Sequence, residues 1–159
     1  MVALGCSLPG SYPSRAALLE SAIEALASEG LAVAARSSWW TSAAWPDPTA
    51  PAYLNGVVLV EARVSADDVL ATLHRIEARF GRVRAEPNAP RTLDLDLIAH
   101  GRTVLDGAVV VPHPRAHERL FVMGPLAQIA PDWRHPVTGR TAIDLMASAT
   151  VGTDATPVT

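Results

Sequence analysis

The chain has 159 residues, close to half of them apolar (49%), and 13 basic side chains against 16 acidic ones give it a net charge of −3. That length suits one domain with a core large enough to be stable alone, and mild acidity with few aromatics and no recognition-helix or RNP-like pattern argues against a nucleic-acid partner. No stretch approaches the roughly 18 apolar residues of a membrane span, the apolar start Val2, Ala3, Leu4 lacks the charge and length of a leader, and the single Cys6 cannot form an internal disulfide, so a soluble, cytoplasmic protein is expected.

Leu4 to Ser7 reads as a first strand, followed by a Pro/Gly/Ser loop to Ser14. Ser14 is a candidate N-cap, Leu18, Leu19, Ala22, Ile23 and Leu26 follow helical spacing, and Gly30 marks the stop. Leu31 to Thr41 reads as one strand, and the loop after it, stiffened by Pro46, Pro48 and Pro51, reads as a lid or rim. Tyr53 to Val64 is a long strand with Val57, Leu59 and Arg63 on one side and Val58, Val60 and Ala62 on the other. Ser65, with Asp67 and Asp68 in the first turn, opens a second helix whose apolar stripe is Leu70, Leu73, Ile76 and Phe80, and Gly81 ends it.

A second loop, Arg82 to Pro90, feeds the most informative stretch, Arg91-Thr92-Leu93-Asp94-Leu95-Asp96-Leu97-Ile98. Strict alternation sorts the leucines to one face of a strand and Asp94 and Asp96 to the other. Residues two apart on a strand sit roughly 7 Å apart, so the two carboxylates can bracket one cation or reach two neighbouring ones. Oxygen ligands of this kind suit magnesium. The same alternation also suits an ordinary amphipathic edge with its acids in water.

Beyond it, Arg102 to Gly107 reads as a small hairpin and Pro112-His113-Pro114 as a rigid turn. Glu118 to Ile129 reads as a helix interrupted at Pro125, and Ala142 to Ala147 as a last short helix. The order strand, helix, strand, strand, helix, strand is that of the split βαβ, or ferredoxin-like, α+β fold, a mostly antiparallel sheet with helices packed on it. Residues 1–149 are read as a single domain and 150–159 as a polar tail expected to be disordered.

All 13 basic residues are arginine. Without lysine there is no Walker A loop, no kinase-type strand lysine and no Schiff-base chemistry. Eight of the arginines lie between residues 75 and 119 against six acids, so that window carries +2 and the remainder −5. Guanidinium groups grip phosphate oxygens in a two-pronged geometry and stay charged when desolvated, so a small polyanion such as a metal-bound nucleotide fits the window.

Arg82-Val83-Arg84, Pro90-Arg91-Thr92-Leu93-Asp94-Leu95-Asp96 and Val111-Pro112-His113-Pro114-Arg115 together make the chain resemble the 6-hydroxymethyl-7,8-dihydropterin pyrophosphokinase family from Val2 to about Leu145. Supporting matches are Ser37 and Ser38, Tyr53-Leu54-Asn55, Arg75-Ile76-Glu77, and Arg119 with Phe121 ahead of Pro125 and Leu126. The resemblance implies transfer of the β,γ-pyrophosphate of ATP to the hydroxymethyl group of a reduced pterin, with release of AMP, by a monomer with two mobile loops over its site.

It further implies that Asp94 and Asp96 hold two magnesium ions and, with Arg82 and Arg91, form the catalytic group. Arg84, His113 and Arg119 would grip other phosphate oxygens, with Leu70, His74 and Ile98 also at the nucleotide. Tyr53 and Phe121 would stack on the pterin, Asn55 would match its guanidine-like edge, and Ser42, Ala43 and Trp45 of the first loop would complete that pocket. Glu77 is read as structural, and no residue stands out as a general base. His113 and His117 are not a zinc pair, because Pro112 and Pro114 keep them off a shared helix.

The chain departs from the family pattern at Gly5-Cys6-Ser7, at Ser42-Ala43-Ala44 with Trp45, and in the shortened Ala85-Glu86-Pro87-Asn88. These changes leave Asp94, Asp96, Arg82, Arg84 and Arg91 in place, so an active enzyme is expected. The altered loops suggest the competing reading, a ferredoxin-like module that binds a nucleotide or pterin without turnover. A third reading is an RNA-binding ferredoxin-like domain.

Overall fold

The computed structural model describes residues 1–82 and 92–159, so Arg84, Arg91 and most of the second loop lie outside the described residues. Among the described residues six strands build the central sheet: β1 (Val2–Cys6), β2 (Ala32–Arg36), β3 (Trp40–Ser42), β4 (Tyr53–Glu61), β5 (Asp94–Leu97) and one more from the C-terminal segment. The order runs β5, β1, β4, with β2 and β3 both on the far side of β4 and every pairing antiparallel. This is the expected ferredoxin-like arrangement.

Alternation along each strand gives the sheet two apolar faces. Val2, Leu4, Cys6, Leu54, Val58, Leu95 and Leu97 meet α1 (Arg15–Ser28) and α2 (Ala66–Arg79) on one side. Val57 and Ile98 meet α3 (Leu120–Ile129) and α4 (Ala142–Ser148) on the other. Burying each large aliphatic side chain in these layers contributes about 1.5–3 kcal/mol, so the layering follows from the sequence pattern. The helix starts are fixed locally, with Ser14 accepting the Ala17 N–H at 3.0 Å and Ser65 accepting that of Asp68 at 3.2 Å.

Three elements differ from expectation. The strand read over Leu31 to Thr41 is two strands, because Ser37 takes over the ladder between them. Its N–H donates to Val57 O at 2.9 Å while its Oγ accepts the Val57 N–H at 3.0 Å, and the chain turns there before β3 resumes pairing. Helix α3 runs unbroken through Pro125. An interior proline costs roughly 3 kcal/mol, but Met123 and Leu126 are fully buried. Gly124 also lets the Trp40 indole seat on the helix, where a Cβ would stand 2.5 Å from the ring. Packing outweighs the missing donor.

The third difference is the tail. Residues 150–159, expected to be disordered, form a further strand β8 (Thr156–Pro157) on the outer edge of β3, with Trp40 opposite Pro157 and Thr41 opposite Thr156. A separate hairpin, β6 (Leu105–Asp106) with β7 (Val110–Val111), precedes the turn that holds His113.

Candidate active site

Register places the chemistry in one row across the sheet. Asp94 lies opposite Gly5, Gly5 opposite Asn55, and Asn55 opposite Trp40. Directly opposed residues point to the same face, and strands lie about 4.8 Å apart, so Asp94 and Asn55 stand on one surface with their backbones about 10 Å apart. Leu93, Leu95 and Leu97 are 0%, 2% and 6% exposed, and the half-buried Asp94 and Asp96 face away from them, as the alternation predicts.

β5 is the end strand of the sheet, and its outward Leu95 N–H donates to Glu77 Oε2 of α2 at 3.1 Å. The same oxygen meets Arg82 Nη1, which also reaches Asp94 Oδ1 at 2.6 Å. One guanidinium, only 12% exposed, thus bridges the helix and the acid pair. Burial pushes the Glu77 carboxyl above its ordinary range, against the pull of the Leu95 N–H and Arg82. Arg82 Nε is buried with no partner among the described residues.

Burial, and then the Asp94 carboxylate, also push the Asp96 carboxyl up, while His113, Arg119 and Arg82 pull it down. A carboxylate made costlier to charge by a second one beside it, and faced by cationic groups, is chemically suited to a divalent cation. Among the described residues no third His, Cys, Asp or Glu joins them in a closed ligand set. Such a donor pair leaves coordination positions for water and phosphate oxygens, the way magnesium is usually held at nucleotides.

His113 is fixed by its N–H to Ile98 O at 2.8 Å, and its Nδ1 accepts the Arg115 N–H at 3.2 Å. The neutral ring therefore carries its proton on Nε2, a donor. Burial lowers its pKa, opposed by Asp96. Arg119 lies over the Phe121 ring at 5.8 Å, so the cationic and aromatic groups expected for phosphate and pterin share the start of α3.

The second half of the site centres on Asn55, 6% exposed, whose Nδ2 donates to Ser42 Oγ at 3.0 Å. Gly5 lies beneath it, where a Cβ would stand 3.2 Å from Asn55 Oδ1 and 4.0 Å from the Tyr53 ring. Ala43 is exposed and Trp45 is 77% exposed on the first loop, which leaves a small cavity of about 40 Å³ between Trp45, Tyr53 and Ser7.

The structure brings together Arg82, Asp94, Asp96, His113 and Arg119, and separately Ser42, Tyr53 and Asn55. It places His74 on the exposed side of α2, Leu70 against the first core and Ile98 inside the second. Sequence reading gave Glu77 no part beyond structure and passed over Gly5 as a constraint on Asn55. The signal for Gly5 was its register opposite Asn55, visible only once β1 and β4 are paired.

Similarity to known proteins extends over most of the chain. The family model described as 7,8-dihydro-6-hydroxymethylpterin-pyrophosphokinase (HPPK) matches residues 1–131. A 2-amino-4-hydroxy-6-hydroxymethyldihydropteridine pyrophosphokinase of Synechocystis is 46% identical over 130 residues, 80% of this chain and 66% of that protein. A protein of the same name from Methylorubrum extorquens is 39% identical over 127 residues, 79% of this chain and 80% of that one. The folic acid synthesis protein fol1 of Pneumocystis carinii is 34% identical over 134 residues, 84% of this chain but 18% of that much longer protein. With the profile covering residues 1–131 of its 159 and a named relative 46% identical over 130 residues, the chain belongs to the 7,8-dihydro-6-hydroxymethylpterin pyrophosphokinase family.

Proposed function

We propose that this chain transfers the β,γ-pyrophosphate of ATP to the hydroxymethyl oxygen of 6-hydroxymethyl-7,8-dihydropterin in folate biosynthesis. The observation that carries the reading is the row linking Asp94 to Asn55 through Gly5. It sets the acid pair and a buried amide on one face of the sheet, which supports a nucleotide site and a pterin site side by side. The pterin hydroxyl oxygen bonds to the β-phosphorus, the bond from that phosphorus to the α,β-bridging oxygen breaks, AMP leaves, and the hydroxyl proton is lost.

Asp94 and Asp96 would hold two magnesium ions, which supply charge neutralisation on the triphosphate when bound. Arg82, oriented by Glu77 and Asp94, is positioned to meet charge on the transferring group, and Arg91 is assigned the same role. Arg84, Arg119 and the Nε2–H of His113 would take other phosphate oxygens, with His74, Leu70 and Ile98 bordering the nucleotide. Asn55, held by Ser42, would read the pterin edge between Tyr53 and Phe121, with Ala43 and Trp45 on the rim. Orientation and fixed charge of this kind account for most of the acceleration expected.

The reading carries with it a monomer acting in the cytoplasm. Cys6 is buried, and among the described residues no helix is long and apolar enough to cross a membrane. Incubation with ATP, magnesium and the dihydropterin alcohol tests the activity. AMP should appear one for one with pterin diphosphate, and tight binding of both substrates without AMP would reject the proposal.

A further inference from the structure

The ordered C-terminal segment ties together the two walls between which the pterin would lie. On one side, the Thr150 and Val151 N–H groups donate to Glu118 O at 3.0 and 2.9 Å, and Leu120 N–H donates to Val151 O at 2.9 Å. These bonds clasp the chain on both sides of Arg119. Gly152 then lies on Phe121 with φ +64, and a Cβ there would stand 2.4 Å from the ring. Only glycine satisfies both the left-handed backbone and the contact.

On the other side, β8 pairs with β3, and Val158 N–H donates to Trp39 O at 2.8 Å. Between these anchors, Ala155 is buried and Asp154 Oδ2 accepts the Ala43 N–H at 2.6 Å. Ala43 follows Ser42, the partner of Asn55, and opens the first loop. The far end of that loop is held as well, since the Arg15 guanidinium donates to Ala52 O. The family match stops at residue 131, so it does not include this segment.

We propose that Asp154 is a positioning residue of the pterin site: through Ala43 it fixes Ser42 and the start of the first loop, while Gly152 fixes Phe121, so that residues 151–156 set the width of the cleft. The charge-assisted bond from a backbone N–H to a carboxylate makes the loop base rigid without any contact between Asp154 and substrate. The inference rests on the proposed activity and concerns the pterin half of the site alone. Asp94, Asp96 and Arg82 lie across the sheet from the Asp154 bond, and the clasp around Arg119 is made by Thr150 and Val151, so replacing Asp154 leaves the nucleotide half in place.

The test compares Asp154→Ala, Asp154→Asn and the unaltered protein in steady-state kinetics and in equilibrium titration with a fluorescent pterin alcohol. Asp154 is exposed, so its replacement leaves the cores intact. Asp154→Ala should raise the KM for the pterin, and its Kd, about three- to tenfold with the KM for ATP unchanged, and Asp154→Asn, which keeps an acceptor oxygen, should recover part of the loss. Equal changes for both substrates, or none for the pterin, overturn the inference. If the unaltered protein forms no AMP the activity proposal falls instead, and the pterin titration alone still decides the role of Asp154.

Discussion

Glu77 accepts the Leu95 N–H at 3.1 Å, so a helix side chain closes the open edge of the strand that carries Asp94 and Asp96. Because the same carboxylate meets Arg82, which in turn meets Asp94, the strand edge, the arginine and the acid pair are tied together. Glu77→Ala would leave a buried guanidinium with one partner fewer and a backbone donor unpaired. A loss of about 3–5 kcal/mol is expected, read as a fall in the denaturant midpoint with an unchanged slope. Turnover should fall too, since Arg82 loses its support. A variant as stable as the parent would show that the clamp is ornamental.

Asp96 is charged at a cost to the fold, because burial and Asp94 both disfavour its ionised form. A carboxyl whose pKa is raised by folding stabilises the fold only while protonated, and that contribution is gone at neutral pH. Asp96→Asn should therefore raise the Tm of the ligand-free protein by about 2–4 °C while lowering turnover on the order of a hundredfold or more. Thermal melts without magnesium and single-turnover AMP release check the two halves separately, and a lower Tm would contradict the electrostatic argument.

Gly5 limits what can stand under Asn55. Gly5→Val should displace the amide and its bond to Ser42, raising the pterin KM about tenfold or more with little effect on ATP. The kinetic split between the two substrates is the measurement, and an equal rise in both would point to a distorted strand rather than a lost amide.

His135 accepts two backbone N–H groups, of Val137 and Thr138, on Nδ1 at 3.2 Å, and burial followed by His117 lowers its pKa. Its neutral form is the one the fold needs, since a protonated Nδ1 can accept neither bond. The unfolded chain binds the proton more readily, so stability should rise with pH from the lowered folded value up to the ordinary histidine range near 6.5. Urea denaturation across that window should show a gain on the order of 1 kcal/mol from His135, and His135→Asn should lose that share while the gain due to His113, whose pKa burial also lowers, remains.

Much of this was legible in the chain itself where short-range pattern and long-range burial agree. Leu93, Leu95 and Leu97 announce β5 and its outward acids because all three are buried, and Ser14 and Ser65 announce their helices because each caps through its own side chain. The break at Ser37 was hidden because a hydroxyl replaces a ladder bond, which leaves the strand pattern unaltered. The tail was hidden for a different reason. Nothing in Val151-Gly152-Thr153-Asp154 is periodic, and its order comes wholly from Glu118, Phe121, Ala43 and β3, which are distant in sequence. Arg84 of the second loop and Arg91 after it fall outside the described residues, and their placement in the site stays with the resemblance that suggested them.

The alternation in β5 also polices threading. Were this strand to dock one position out of step, Asp94 and Asp96 would enter the layer occupied by Leu18, Leu73 and Ile76, and three leucines would be turned outward. Such a misassembled molecule would forfeit several kcal/mol of apolar burial and confine two bare charges, enough to erase the margin by which a domain of this size stays folded. Every copy that survives folding thus arrives with its acid pair aimed correctly, and quality control for the chemistry is built into the hydrophobic layer behind it.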